Sequence, residues 1–175
     1  MSSSFDNLDQ YDFVDEEYIE KVKDKYSPLI GDFIIKFSAL EHTLNILIAE
    51  ILSQRSHDFG YTIVERLTIN NKIELFYKMY LQLVSVTDKK KKVLLDSIKK
   101  RLIDVNSFRN NLVHANWLTL KKDGSVRSKI VTDNEEGYVK FKNSQITPKI
   151  IKGKIAELKS LVYDLDEFSE SALSF

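Results

Sequence analysis

Two long stretches of this sequence repeat apolar residues every three or four positions, and this periodicity constrains the fold more than any other feature. The stretches cover residues 28–54 and 89–114. Residues spaced in this way lie along one face of an α-helix, and a helix with such a face must bury it against other elements. The pattern therefore predicts a mainly α-helical protein, built as an antiparallel helical bundle.

Capping signals set the ends of the predicted helices. Ser27-Pro28 combines an N-cap hydroxyl with a proline at the first helical position, so a short helix over 15–26 should end there and a second should begin. Thr147-Pro148 repeats this signal and predicts the start of the last helix, which runs to about Ser171. Further caps are predicted at Thr68 or Asn70 and at Thr87-Asp88.

The pattern changes between His114 and the last helix. Residues 117–120 and 126–131 flank an Asp-Gly turn at 123–124, which predicts a β-hairpin. Residues 138–141 predict a third short strand. We therefore expect a small β insertion at about 117–142, made of a hairpin or three strands, before the last helix.

Length and composition bound the domain organisation. A chain of 175 residues with 43% hydrophobic residues can bury one substantial core. We expect a single helical domain over 15–175, preceded by a flexible, acidic segment over 1–14. This N-terminal segment lacks the basic and apolar regions of a signal peptide.

The sequence contains no cysteine, which excludes a disulfide framework and a thiolate zinc site. No run of apolar residues is long enough to cross a membrane. No metal-binding or phosphate-binding motif occurs either. We therefore expect a cytoplasmic protein with no membrane association, no metal site and no cofactor.

The formal net charge is zero, but the charges are segregated along the chain. Residues 1–58 carry five Lys or Arg and twelve Asp or Glu, whereas residues 89–155 carry seventeen and six. A basic segment in a neutral chain attracts a polyanion locally. The alternative is an ordinary solvated surface of mixed charge.

The segment from Arg109 to His114 contains residues suited to phosphodiester chemistry without a metal. An imidazole titrates near neutral pH and can carry a proton. A guanidinium can bind developing phosphate charge through its planar fork of donors. In a regular helix, Arg109 and His114 lie about 140° apart, whereas Asn110 and His114 lie about 40° apart. The first two can therefore share a site only if the helix end loosens, or if a two-fold dimer supplies a second copy.

The motif Arg109-Asn110-x-x-x-His114 at the end of a long helix resembles the HEPN superfamily (higher eukaryotes and prokaryotes nucleotide-binding domain). Residues 37–41 and Trp117 are also similar to bacterial members, and the resemblance covers residues 28–117 and the last helix from 147. It implies a homodimer with metal-independent endoribonuclease activity on RNA. It also implies a role in toxin–antitoxin systems or antiphage defence, with an antitoxin or defence protein as partner.

The resemblance also implies roles for the site residues. His114 would act as general acid or base on the ribose 2′-hydroxyl, Arg109 would bind the phosphate, and Asn110 would orient His114 or the phosphate. Asn116 stands where one toxin subgroup has a tyrosine, so control by nucleotidylation of that tyrosine is not implied. The alternative is a non-catalytic HEPN-like dimer that binds nucleic acid, a nucleotide or a protein.

Two residues are assigned supporting roles in this site, Glu41 and Asn111. Glu41 follows the apolar stripe of its helix by one position, so it either reaches Arg109 or stays solvated.

In the β insertion, basic residues alternate with aromatic ones, a composition that suits RNA binding or an ordinary sheet exposed on one side. The residues assigned to RNA binding are Lys121, Lys122, Arg127 and Lys129.

Overall fold

The computed structural model describes residues 3–6, 16–53, 57–84, 88–132 and 139–173. The helices in these ranges are α1 (Glu16–Leu52), α2 (His57–Val64), α3 (Ile69–Leu83), α4 (Lys89–Val113) and α5 (Pro148–Leu173). The strands are β1 (Ser3–Asp6), β2 (Ser125–Thr132) and β3 (Val139–Gln145), and a 3₁₀ helix covers Trp117–Thr119. The predicted fold class is confirmed, because the chain is mainly helical and a small antiparallel sheet precedes the last helix.

The chain divides into two compact units, and the expectation of one domain over 15–175 stays a prediction. The first unit comprises residues 1–34 and 108–155, and the second comprises residues 35–107 and 156–175. Their boundaries fall inside α1, α4 and α5. No linker or change of composition marks such boundaries, so the sequence pattern contains no signal for them.

Helix α1 runs through Pro28, and this corrects the predicted break between two helices. A proline inside a helix removes one hydrogen bond and costs about 3 kcal/mol. Aromatic side chains on both sides of the proline are buried, Tyr26 at 6% exposure and Phe33 at 0%. Each large apolar side chain contributes about 1.5–3 kcal/mol when it is fully buried, so these two offset the cost of the proline.

Three of the predicted helix caps are confirmed by side-chain hydrogen bonds. Asp88, Thr68 and Thr147 each accept a bond from the backbone N–H three residues later, at 3.0, 3.3 and 3.2 Å. These bonds satisfy donors that the first turn of a helix leaves without a partner. The starts of α3, α4 and α5 therefore follow from local sequence.

The sheet belongs to the first unit and has the strand order β1-β3-β2, with antiparallel pairing throughout. Strand β1 corrects the expectation of a flexible N-terminus for residues 3–6, which pair with residues 141–144 of β3. The rest of that predicted flexible segment lies outside the described residues. Pairing between strands so distant in sequence leaves no local pattern, and β1 has only four residues.

The predicted hairpin is correct at its turn but wrong in its first strand. Gly124 has φ of +87°, and its N–H donates to the carbonyl oxygen of Lys121 at 2.9 Å. Both the N–H and the hydroxyl of Ser125 donate to the carboxylate of Asp123 at 2.9 Å, which lowers the pKa of Asp123 below its usual value. Residues 117–119 form a 3₁₀ turn because the Asn116 side chain caps it by accepting from the N–H of Leu118. The observed hairpin joins β2 and β3 instead.

Each unit has its own apolar core. In the first unit, the rings of Phe33 and Phe108 meet edge to face at 5.2 Å between centroids. In the second unit, Tyr80 is fully buried between the rings of Phe76 and Phe168, and burial raises the pKa of its phenol to about 12. Gly60 packs so closely on α1 that an added Cβ would lie 2.7 Å from the carbonyl oxygen of Ala49.

Candidate functional site

The Arg–His segment lies at the C-terminal end of α4, in the first unit. Phe108 and Leu112 are buried at 1% and 0% exposure and anchor this end of the helix in the core. Arg109 and Asn110 are half-buried, whereas His114 is exposed just beyond the last helical residue. The site is therefore held by a packed helix and presents its imidazole to solvent.

The helix remains regular as far as His114. The backbone N–H of His114 donates to the carbonyl oxygen of Asn110 at 3.0 Å, which is the hydrogen bond of an undistorted α-helix. The separation of about 140° between Arg109 and His114 therefore applies. Within one chain their side chains leave α4 on different sides, so a loosened helix end does not bring them together.

The side chain of Asn110 contacts that of Arg109 and leaves α4 on nearly the same side as His114. The Nη1 group of Arg109 donates to Oδ1 of Asn110 at 3.1 Å. A guanidinium only donates, so this bond fixes which end of the amide faces the arginine. The Nδ2 group of Asn110 remains available as a donor, one turn before His114 and on nearly the same side of the helix.

Trp117 caps the end of α4, a role that the sequence pattern did not reveal. Its indole N–H donates to the carbonyl oxygen of Leu112 at 3.1 Å. Its ring packs against Tyr26, with 5.3 Å between the ring centroids. The last carbonyls of a helix lack partners within it, so a donor-only side chain just beyond the helix end is the signal for such a cap.

The chain after His114 is also tied to the sheet. The N–H of Asn116 donates to the carbonyl oxygen of Arg127 at 2.7 Å, and the N–H of Arg127 donates to Oγ1 of Thr119 at 3.1 Å. His114 thus lies between a capped helix and a turn that is hydrogen-bonded to β2. This arrangement limits the movement of the backbone that carries the imidazole.

In the second unit, Glu41 has a partner that the sequence did not suggest. Its Oε1 accepts from Nζ of Lys72 at 2.6 Å. The Lys72 side chain is only 5% exposed, whereas that of Glu41 is 35% exposed. The observed role of Glu41 is therefore to neutralise a buried ammonium, and its support of Arg109 stays a prediction.

The remaining predicted residues are spread over the first unit. Asn111 is half-buried on α4. The side chains of Lys121, Lys122 and Lys129 are exposed on the β insertion, and that of Arg127 is half-buried. The turn at residues 121–124, strand β2 and the end of α4 belong to the same compact unit.

Neither a metal centre nor a membrane span is found in the part of the chain that the structure describes. No group of His, Cys, Asp and Glu side chains there is arranged to hold a metal ion. None of the helices there combines the length and the apolar composition that crossing a bilayer needs.

Comparison with family models, with curated proteins and with solved structures gives no match. The resemblance to the HEPN superfamily therefore rests on the motif residues and on the helix that carries them.

Proposed function

We propose that this chain is a metal-independent endoribonuclease of the HEPN type that acts as a homodimer in the cytoplasm. The observation that carries the proposal is the geometry at the end of α4. Arg109 holds Asn110 by a hydrogen bond at 3.1 Å, and His114 follows one turn later, exposed to solvent. A phosphate-binding cation, an oriented amide and a proton carrier are the groups that RNA cleavage needs.

In the proposed reaction, His114 removes the proton from a ribose 2′-hydroxyl. The 2′-oxygen then forms a bond to the adjacent phosphorus, and the bond from phosphorus to the 5′-oxygen breaks. The 5′-oxygen leaves as a hydroxyl after it receives a proton from a general acid. The products are a 2′,3′-cyclic phosphate and a 5′-hydroxyl end. Arg109 stabilises the negative charge that develops on the phosphate oxygens.

The regular helix end supports a site shared between two copies of the chain. Because Arg109 and His114 point to different sides of α4, a two-fold dimer would supply the arginine from one protomer and the histidine from its partner. Such a dimer contains two equivalent sites, each with residues from both chains.

Cleavage of RNA in the presence of EDTA tests the activity. We expect wild-type protein to cleave, and His114→Ala or Arg109→Ala to lose about 10²–10⁴-fold in rate. The matched control is His42→Ala, which removes another exposed histidine, on α1, and should leave the rate unchanged. Full activity in either site variant would contradict the proposal.

Co-expression of His114→Ala with Arg109→Ala tests the shared site. If each site takes one residue from each chain, half of the dimers are mixed and contain one intact site, so activity returns to about a quarter of wild type. If both residues act from the same chain, no mixed dimer has an intact site and activity stays absent. The second result would overturn the shared site and leave the ribonuclease activity standing.

A non-catalytic nucleic-acid-binding dimer is the second candidate, and the exposed lysines of the β insertion favour it. In that case RNA binding should weaken with salt, no cleavage should occur, and His114→Ala should not change the affinity. For either candidate, a role in antiphage defence or as a toxin with an antitoxin partner follows from the family resemblance and is part of the proposal.

A further inference from the structure

Strand β2 contains a β-bulge that brings two lysines opposite each other. Arg127 pairs with Asn143, and Lys129 pairs with Lys142, so Ser128 is an extra residue between the two pairs. A bulge of this kind redirects the side chains that follow it and often marks a functional position in a sheet.

Buried hydroxyls fix this register. The Oγ of Ser128 donates to the carbonyl oxygen of Lys142 at 3.1 Å and lies 2.7 Å from Oγ of Ser144. A hydroxyl carries one proton, so Ser144 is the donor in the second bond. Both serines are nearly inaccessible, at 5% and 6% exposure. The bulge is therefore built into the sheet interior, and the pairing of the two lysines follows from it.

The pairing of Lys129 with Lys142 is unfavourable in itself. Directly opposed residues of an antiparallel sheet share one face, with Cβ atoms about 4.5–5.5 Å apart, and like charges there repel. Lys129 is exposed and Lys142 is half-buried. Among the residues that the structure describes, no carboxylate lies within 4.0 Å of either ammonium. An anion between the two ammonium groups would turn this repulsion into attraction.

We propose that Lys129 and Lys142 together bind one phosphate group of an RNA backbone. This inference rests on the proposed function and adds Lys142 to the basic residues that the sequence pattern indicates. Phosphate contacts supply most of the affinity of a protein for nucleic acid without reading its sequence. The pair would thus hold the RNA chain irrespective of the base at that position.

Salt-dependent binding measures the number of phosphate contacts. The full chain with His114→Ala, which should not cleave, is titrated against a fluorescent single-stranded oligouridine at several salt concentrations. Each lost contact lowers the slope of log Kd against log salt by about 0.7 for a single strand. Because the two lysines hold one phosphate between them, we expect this decrease for Lys129→Gln and for Lys142→Gln, and no further decrease for the double variant; two independent phosphate contacts would instead double it. The control is Lys152→Gln, an exposed lysine of α5, which should keep the wild-type slope.

A charge reversal gives a second readout that is independent of RNA. Lys129→Glu replaces the repelling pair with an attracting one, so the melting temperature at low salt should rise while RNA affinity falls. Lys152→Glu makes the same change in net charge and should not raise the melting temperature. Unchanged slopes in both glutamine variants, or RNA binding too weak to measure, would overturn the phosphate site.

The outcomes separate this site from the proposed function. If wild-type protein cleaves RNA and the slopes do not change, the phosphate site is wrong and the ribonuclease proposal stands. If wild-type protein does not cleave but the slopes decrease as expected, the phosphate site stands and the ribonuclease proposal fails.

Discussion

Glu41→Gln should lower the stability of the protein, because it leaves the buried ammonium of Lys72 without a negative charge beside it. The ammonium and the carboxylate are 2.6 Å apart, and the lysine side chain is 5% exposed. Glutamine keeps the size of the side chain and an oxygen that can accept a hydrogen bond, but it removes the negative charge. The variant therefore tests the charge rather than the packing.

The expected cost is about 2–3 kcal/mol of unfolding free energy. Removing one partner of a buried ion pair typically costs about 3–5 kcal/mol. We expect a smaller cost than this typical value, because the Glu41 side chain is 35% exposed and water reaches its oxygen. For a chain of this length, each kcal/mol lowers the melting temperature by about 2–4 °C. We therefore expect a decrease of about 4–12 °C in a thermal melt followed by circular dichroism.

A second substitution provides the control. Lys72→Met removes the buried charge, so the double variant with Glu41→Gln should recover most of the lost stability. If Glu41 serves only Lys72, RNA cleavage below the melting temperature should be unchanged in Glu41→Gln and in the double variant. If the predicted support of the catalytic site by Glu41 is right, cleavage should be low in both variants. A decrease of less than about 0.5 kcal/mol for Glu41→Gln alone, the size of an ordinary surface change, would refute the reasoning.

Three further predictions test other parts of the structure. Trp117→Phe removes the donor to the carbonyl of Leu112 and should cost about 1 kcal/mol in denaturant unfolding; an unchanged midpoint would contradict the cap. Because burial raises the pKa of Tyr80 to about 12, the native state holds its phenol proton more tightly than the unfolded state. The contribution of this phenol to the free energy of unfolding should therefore be complete below pH 10 and fall by about 2–3 kcal/mol as pH rises to 12. Tyr80→Phe should flatten that decline, and an equal decline in wild type and in the variant would contradict this assignment. Gly153→Ala adds a Cβ on α5 that meets no atom within 4 Å, so it should raise the melting temperature, whereas Gly60→Ala should lower it because the added Cβ clashes with the backbone of α1. Melting temperatures that shift in the same direction would refute this contrast.

Local signals predicted the helix starts well, and long-range contacts explain the failures. Asp88 and Thr147 cap the helices that they predict, because a cap depends only on the residues of one turn. The break predicted at Pro28 is absent because buried aromatics elsewhere on α1 outweigh the preference of the proline. Strand β1 likewise depends on a partner strand that lies far away in sequence. The 3₁₀ turn after Asn116 is the exception, because the side-chain cap that forms it is local.

The candidate site was predicted as a set of residues but not as an arrangement. The spacing of Arg109 and His114 gave their angular separation, since α4 is regular to its end. The hydrogen bond from Arg109 to Asn110 and the ion pair of Glu41 with Lys72 depend on side-chain conformations. Sequence spacing does not determine these, and a glutamate one step from an apolar stripe can reach more than one neighbouring helix.

The chain contains a single tryptophan, and Trp117 lies three residues beyond His114. Its indole is held between a helix carbonyl and the ring of Tyr26. The protein thus has a built-in fluorophore at the end of α4. Fraying of this helix end would release the indole to water and shift its emission to longer wavelength. Intrinsic fluorescence can therefore follow the order of the candidate site in unlabelled protein, separately from global unfolding.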